Sequence, residues 1–495
     1  MRAHFPKREE LFLSINISPK GGLLLQNLNE GLGFLKREAL RKIHSSTLKI
    51  LEETGVRVDE EKALKILGDA GATVDSKLRI AKVPRSLIEE LVKKARKCDR
   101  LCGRNPKYDL TLGDGKVHIM TSSTGIKVLD MDTGEVRQST KKDVENSARL
   151  ADVLENFHIY SIMVDALDCP EEIMGLEEVD SMFNNTEKHI DTGALGTDDA
   201  RDMIRMAAAV AGGFEELRKR PIIDFMQTPV SPLIQDRGNT EAILECAKRE
   251  VPLVVLNMAQ AGGTSPVTLA GVLSLTNAEV LSGMLIAYLA NPNVPLIYGT
   301  SSIVLNMRSL SGPSIFGLVE GDLIAMGAVQ LAKYYGFPSL VNASFYDWSE
   351  LECKAVTAML PSLAGADILY DGGLIEDAKT LSYEAMVIAN EMAGMVLRAL
   401  KGIEVNEETL ARHVIHKVGP GGNFLSERHT LEHLRKEIFI SEILDKPRVK
   451  DIREAAKRKA KELLSKHQPE PLDESVQEEL RRIVKEAWKT KQRRK

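Results

Sequence analysis

Apolar and polar positions change their period along this chain, and the changes divide it. From Lys36 to Glu53, Leu40, Ile43, Leu48, Ile50 and Leu51 recur at roughly helical spacing, and Gly55 stands where a C-capping glycine would. A second helical run starts near Asp59 and reaches Gly68, and a third opens after Pro84, a residue suited to a first helical turn. Short β signals follow at Val117–Met120 and Ile126–Arg137, and Asp132-Thr133-Gly134 within the second predicts a hairpin turn. Residues before about Phe34 show no firm period and predict a poorly ordered tail.

After a helical run from Lys141 to Leu154, apolar strands alternate with long helical stretches. Strands are predicted at Phe157–Val164, Lys188–Gly193, Pro221–Thr228, Pro252–Met258, Pro295–Thr300, Pro338–Ala343 and Asp367–Gly372. The stretches Ala200–Ala211, Ala270–Leu289 and Leu318–Tyr335 read as helices. Repeated β-then-α with strands apolar on both faces implies a parallel sheet covered on both sides. Several strands open on proline and leave through small or polar residues, as at Gly299-Thr300-Ser301-Ser302 and Asn342-Ala343-Ser344. So many equivalent strand ends favour a closed (β/α)8 TIM-type barrel over an open sheet with one switch point. The expected organisation is a tail over 1–34, a small helical N-terminal layer over 35–103, the barrel with an extra β-hairpin over 104–445, and a charged helical tail over 446–495.

Composition narrows the class. A hydrophobic share of 43%, a charged share of 28% and a net charge of −5 describe a globular protein without the basic excess of a nucleic-acid binder. No apolar run approaches the roughly 18 residues of a membrane span. The N-terminus carries early charges of both signs, unlike a signal peptide, and the five scattered cysteines suit reduced thiols. These features point to a cytoplasmic enzyme that binds neither membrane nor nucleic acid, and a large barrel of this kind is expected to self-associate.

Motifs exclude more than they assign. No nucleotide fingerprint follows a strand, and no G-x-S-x-G elbow appears. His429 and His433 would share a helix face, but no third ligand accompanies them, so no metal site is expected. Gly419-Pro420-Gly421-Gly422 reads as a tight turn. The better lead lies at strand ends. Aromatics make up only 5% of the chain, yet Phe345, Tyr346 and Trp348 crowd one exit with Asp347 and Glu350, and Tyr298 and Tyr370 end neighbouring strands. Electron-rich rings suit a quaternary ammonium, which offers charge but no hydrogen-bond donor, and Asp347, Glu350 or Asp371 would add counter-charge.

A set of motifs in order carries a resemblance. Val128–Arg137, Asn184-Asn185-Thr186-Glu187-Lys188, Leu363–Asp367 with Asp371-Gly372-Gly373-Leu374, Ser382-Tyr383-Glu384, Gly402–Val405, Val418–Gly422 with His429-Thr430, and Pro469–Asp473 together resemble the trimethylamine methyltransferase family. The resemblance implies a barrel that passes a methyl group to cobalamin carried on a separate corrinoid protein, with no tightly bound cofactor of its own. Family enzymes acting on trimethylamine carry pyrrolysine on the loop after the sixth strand. Here that position falls near Ser344 or Phe345, with Asp347 as the motif aspartate, and no lysine stands in for it. The chain is similar to the non-pyrrolysine branch, which implies a quaternary amine such as glycine betaine as substrate. The resulting expectation gives Asp347 and Glu350 to catalysis. Tyr298, Phe345, Tyr346, Trp348, Tyr370 and Asp371 would line the cation pocket, and Arg308, Asn423 and His429 would bind a substrate carboxylate. Rival readings are trimethylamine or another methylamine as substrate, a barrel lyase or hydrolase using Asp224, Glu320 and Asp371, and a non-catalytic amine-binding protein.

Overall fold

Eight short parallel strands close into a barrel in this computed structural model. The structure describes residues 35–122, 124–305, 315–316, 318–342, 351–370, 372–376, 378–441, 443 and 451–494. The barrel strands are β1 (His118–Met120), β2 (Ile159–Ser161), β3 (His189–Thr192), β4 (Ile223–Gln227), β5 (Leu253–Asn257), β6 (Leu296–Thr300), β7 (Ser339–Asn342) and β8 (Ile368–Tyr370). Each pairs with its sequence neighbours, and β8 pairs with β1 to complete the circle. The sequence alternation begins one strand late. Val117–Met120 reads as an isolated β signal ahead of the barrel, whereas it is the strand that closes it.

Both strand faces are buried, which explains their continuous apolar runs. In β5, Leu253 and Val255 pack outward against helices, while Val254 and Leu256 point inward with Ile297, Leu340 and Ile368. Eight helices form the outer ring: α1 (Lys141–Val153), α2 (Met174–Asn185), α3 (Thr197–Ala211), α4 (Arg237–Arg249), α5 (Leu269–Ala290), α6 (Leu318–Tyr335), α7 (Leu351–Leu363) and α8 (Tyr383–Leu400). Thr140 and Asp143 cap α1 reciprocally, and Arg137 from the predicted hairpin adds two hydrogen bonds of 2.7 and 2.8 Å to the Asp143 carboxylate. Among the described residues α5 alone is long and apolar enough to cross a membrane, and most of it is buried against the barrel.

The N-terminal layer is mixed rather than purely helical. Helices Arg37–Lys49, Glu61–Asp69 and Arg85–Lys94 accompany a sheet of Val56–Val58, Thr73–Asp75 and Ile80–Lys82 that also takes in Ile234–Gln235. Strands of two or three residues are too short to display a period of two, so only the helices are legible beforehand. Gly55 turns the chain between helix and sheet at φ 82°, and a Cβ there would lie 2.7 Å from the Ala81 carbonyl oxygen. A small hairpin, Arg100–Leu101 with Leu110–Thr111, plugs the N-terminal end of the barrel with Leu101, Leu110 and Leu112.

Among the described residues four helices follow the barrel: α9 (Arg412–Val418), α10 (Arg428–Glu437), α11 (Ile452–Lys466) and α12 (Glu474–Gln492). The charge-dense end of the chain is docked rather than frayed. Leu480, Ile483, Val484 and Ala487 form one buried stripe on α12, and Ala455, Ala456 and Ala460 do the same on α11. The charges occupy the opposite faces.

Candidate active site at the barrel mouth

Strand alternation sorts the side chains that can reach the barrel mouth. Ile190, Ile223 and Phe225 join the outer core, so His189 and Asp191 of β3 and Asp224 of β4 point into the barrel. Asp191 and Asp224 are register partners on adjacent strands and are 1% and 2% exposed. They belong to a buried polar chain. His189 Nδ1 lies 2.9 Å from the Cys102 carbonyl oxygen, and its Nε2 lies 2.8 Å from Asp224 Oδ1. At the other end the Ser161 hydroxyl donates to Asp191 Oδ2 at 2.5 Å.

The hydrogen bonds decide where the protons sit. A carbonyl only accepts, so His189 Nδ1 carries a hydrogen. Burial lowers the His189 pKa to about 4, so the ring is neutral and Nε2 accepts. Asp224 must then donate as a carboxylic acid, consistent with a pKa raised chiefly by burial. Asp191, raised by burial and by repulsion from Asp224, takes its hydrogen bond from Ser161 on one oxygen. No hydroxyl, amide or ring N–H among the described residues donates to its other oxygen, Oδ1, and the Asp224 carboxyl lies within hydrogen-bonding reach of Asp191. Asp191 is raised further than its neighbour, so the pair holds a proton that only deprotonation of the cluster releases, and it lies near the C-terminal end of β3, where barrel strands meet their ligands. Sequence reasoning gave Asp224 only to the rival lyase and left Asp191 inside a strand. The available signal was an aspartate at the same place in two successive apolar strands, Ile190-Asp191 and Ile223-Asp224.

A second buried network stiffens the neighbouring strand ends. The Asn257 amide donates to Glu279, in the middle of α5, while Thr276 and Ser302 hydroxyls donate to Asn257 Oδ1 at 3.0 and 2.5 Å. Glu279 also accepts from the Ser231 hydroxyl at 2.7 Å and the Leu233 backbone at 2.8 Å. Every partner is a fixed donor, so this carboxylate serves the scaffold beneath the rim.

The expected site residues separate sharply. Tyr298 faces outward: it is fully buried in the outer core, with its hydroxyl 3.2 Å from Asn277 of α5, so its ring does not line the barrel interior. Tyr370 faces inward among Met120, Ile159 and Leu340. Asn423 and His429 lie on the segment that carries α9 and α10, and His429 stacks on His433 with ring centroids 4.2 Å apart. No group of three metal-ligating side chains occurs among the described residues. Arg308, Phe345, Tyr346, Asp347, Trp348, Glu350 and Asp371 fall outside the described residues. Glu320 is exposed on α6, so the lyase set is not assembled with Asp224. A cleft of about 520 Å³ between the N-terminal layer and α3–α4 is walled by self-paired charges such as Arg237 and Glu241, and it lies outside the barrel.

A parallel eight-stranded barrel with carboxyl groups buried beneath its mouth defines a TIM-barrel enzyme. The chain belongs to the trimethylamine methyltransferase family, whose model matches residues 22–491, and it is a methyltransferase. It is 36% identical over 469 residues to trimethylamine methyltransferase MttB of Desulfitobacterium hafniense strain DSM 10664 / DCB-2, covering 92% of this chain and 94% of that one. It is 30% identical over 482 residues to glycine betaine methyltransferase of Desulfitobacterium hafniense strain Y51, covering 94% and 99%. The fold is also similar to the crystal structure of the Methanosarcina barkeri monomethylamine methyltransferase MtmB, with a TM-score of 0.51 at 14% identity over 89% of this chain and 92% of that one.

Proposed function

We propose that this chain moves a methyl group from a quaternary amine of the glycine betaine type to the Co(I) of a corrinoid carried on a separate protein. The observation that carries this reading is the buried Asp191–Asp224 carboxyl pair on the inner face of the barrel, register partners on adjacent strands. A buried carboxyl pair offers counter-charge to any ammonium, and the preference for a quaternary one comes from the loop sequence. The sequence at Ser344 and Phe345 supports the same choice, because no electrophilic side chain is written where the family's trimethylamine enzymes place one.

The chemistry follows from the leaving group. Nucleophilic attack on an N-methyl carbon needs a nitrogen that departs neutral. A quaternary amine meets that condition unaided, while a tertiary amine must first be activated. The protein's task is then to hold the cation, aim one methyl outward and exclude water. The Asp191–Asp224 pair supplies the counter-charge from below and Tyr370 faces the interior with it, and the sequence assigns Phe345, Tyr346 and Trp348 with Asp347 and Glu350, outside the described residues, to the same pocket. The corrinoid supplies the methyl-accepting metal centre from its own protein.

The test mixes the full chain with reduced corrinoid protein and a panel of methylated amines, following loss of the Co(I) absorbance. Glycine betaine or another quaternary amine is expected to consume Co(I), and trimethylamine is not. The opposite outcome would favour the trimethylamine reading, for which the 36% identical relative argues by name.

A further inference from the structure

We propose that the segment between Gly402 and Ile440 is an arm by which this chain binds a second copy of itself. Ten large apolar residues between Ile403 and Ile440 are exposed, among them Leu425 at 78% and Leu431 at 70%. Their exposed area is on the order of 1,000 Å², comparable to the roughly 800 Å² that one partner buries in a stable interface. Leu431, Leu434 and Ile438 follow one another at helical spacing along α10, so they form a stripe on one face, and α10 has no buried residue at all. An amphipathic helix whose apolar stripe faces water is missing its partner.

The arm is built rather than loose. Arg398, in the last turn of α8, donates to the Gly402 carbonyl at 2.9 Å and to the Glu437 carbonyl at 2.8 Å, so one side chain ties both ends. Within it, Lys417 pairs with Glu427 at 2.8 Å, Arg428 with Glu432 at 2.6 Å and His433 with Glu408 at 3.2 Å. Several of its charges are thus paired within it, beside the apolar surface it offers outward.

Its position selects the occupant. Barrel helices run opposite to their strands, and Asn156, just ahead of β2, hydrogen-bonds Asn390 of α8. The end of α8 therefore lies towards the N-terminal face of the barrel, and the arm leaves from there. A methyl-accepting protein must reach the opposite, C-terminal mouth. The surface left for the arm is another copy of this chain, in a closed symmetric assembly. This inference is independent of which amine the enzyme uses.

Sedimentation analysis of the full chain tests it beside Leu425→Glu/Leu431→Glu. The wild type is expected to sediment as an oligomer and the double variant at half that mass or less, with unchanged circular dichroism. Leu431→Ala/Leu434→Ala, which adds no charge, is expected to weaken association at least tenfold and covers the case in which the first variant fails to fold. A monomeric wild type, or folded variants that keep the wild-type mass, would overturn the proposal. So would variants that keep their mass but lose methyl transfer to the corrinoid protein, which would assign the arm to that partner.

Discussion

Asp191→Asn changes one buried atom and separates two consequences of the carboxyl cluster. Asp191 sits 1% exposed beside Asp224, and burial with Asp224 repulsion raises its pKa. Between the ordinary carboxylate range near pH 4 and that raised value, the native state binds more protons than the unfolded chain. Wild-type stability therefore falls as pH rises through this window, with a limiting slope of about 1.4 kcal/mol per pH unit for one proton. Asparagine keeps the shape and removes the proton, so the variant is expected to have a flatter profile and to exceed the wild type at pH 8. Affinity moves the other way. A unit charge about 7 Å from a bound cation, at an effective dielectric near 20, contributes about 2 kcal/mol, or roughly 30-fold in Kd. Wild-type affinity for glycine betaine should also rise with pH, because the cation binds the deprotonated cluster. Urea denaturation and calorimetric titration at pH 5 and pH 8 measure both effects. An Asp191→Asn protein with wild-type betaine affinity and an unchanged pH slope would refute the counter-charge assignment.

Asn257→Ala removes the hub between Glu279, Thr276 and Ser302, leaving a buried carboxylate short of a donor; a loss of about 3 kcal/mol is expected in denaturant titration. Burial holds the Glu178 pKa up at about 7, so wild-type stability should drop by up to about 3 kcal/mol between pH 4.5 and 7 on its account, and Glu178→Gln should remove that slope. Gly299→Ala places a Cβ 2.9 Å from the Leu256 Cα and from Val254 Cγ1, and the overpacking is expected to cost about 1–3 kcal/mol, read as a lowered Tm.

Much of the barrel was legible in the chain because parallel strands covered on both faces are written as unbroken apolar runs, as at Leu253-Val254-Val255-Leu256. The hairpin around Asp132-Thr133-Gly134 was legible for the opposite reason, since a turn residue at positive φ leaves a local mark; Gly134 has φ 74°. Family membership was legible in the order of short motifs. The same unbroken runs erase any sign of inside and outside, so nothing in the chain separated Tyr298, turned to α5, from Tyr370, turned to the barrel interior. Strand register, settled only when the barrel closes, set Asp191 beside Asp224 and brought His189 and Ser161 to the two ends of that pair. The direction of α8 likewise decided that the segment carrying Asn423 and His429 starts from the N-terminal face of the barrel. Sequence by itself determined the kind of enzyme, because strand periodicity and motif order are local properties. Tertiary structure decided which buried charges meet, because that depends on long-range pairing between segments that carry no record of one another.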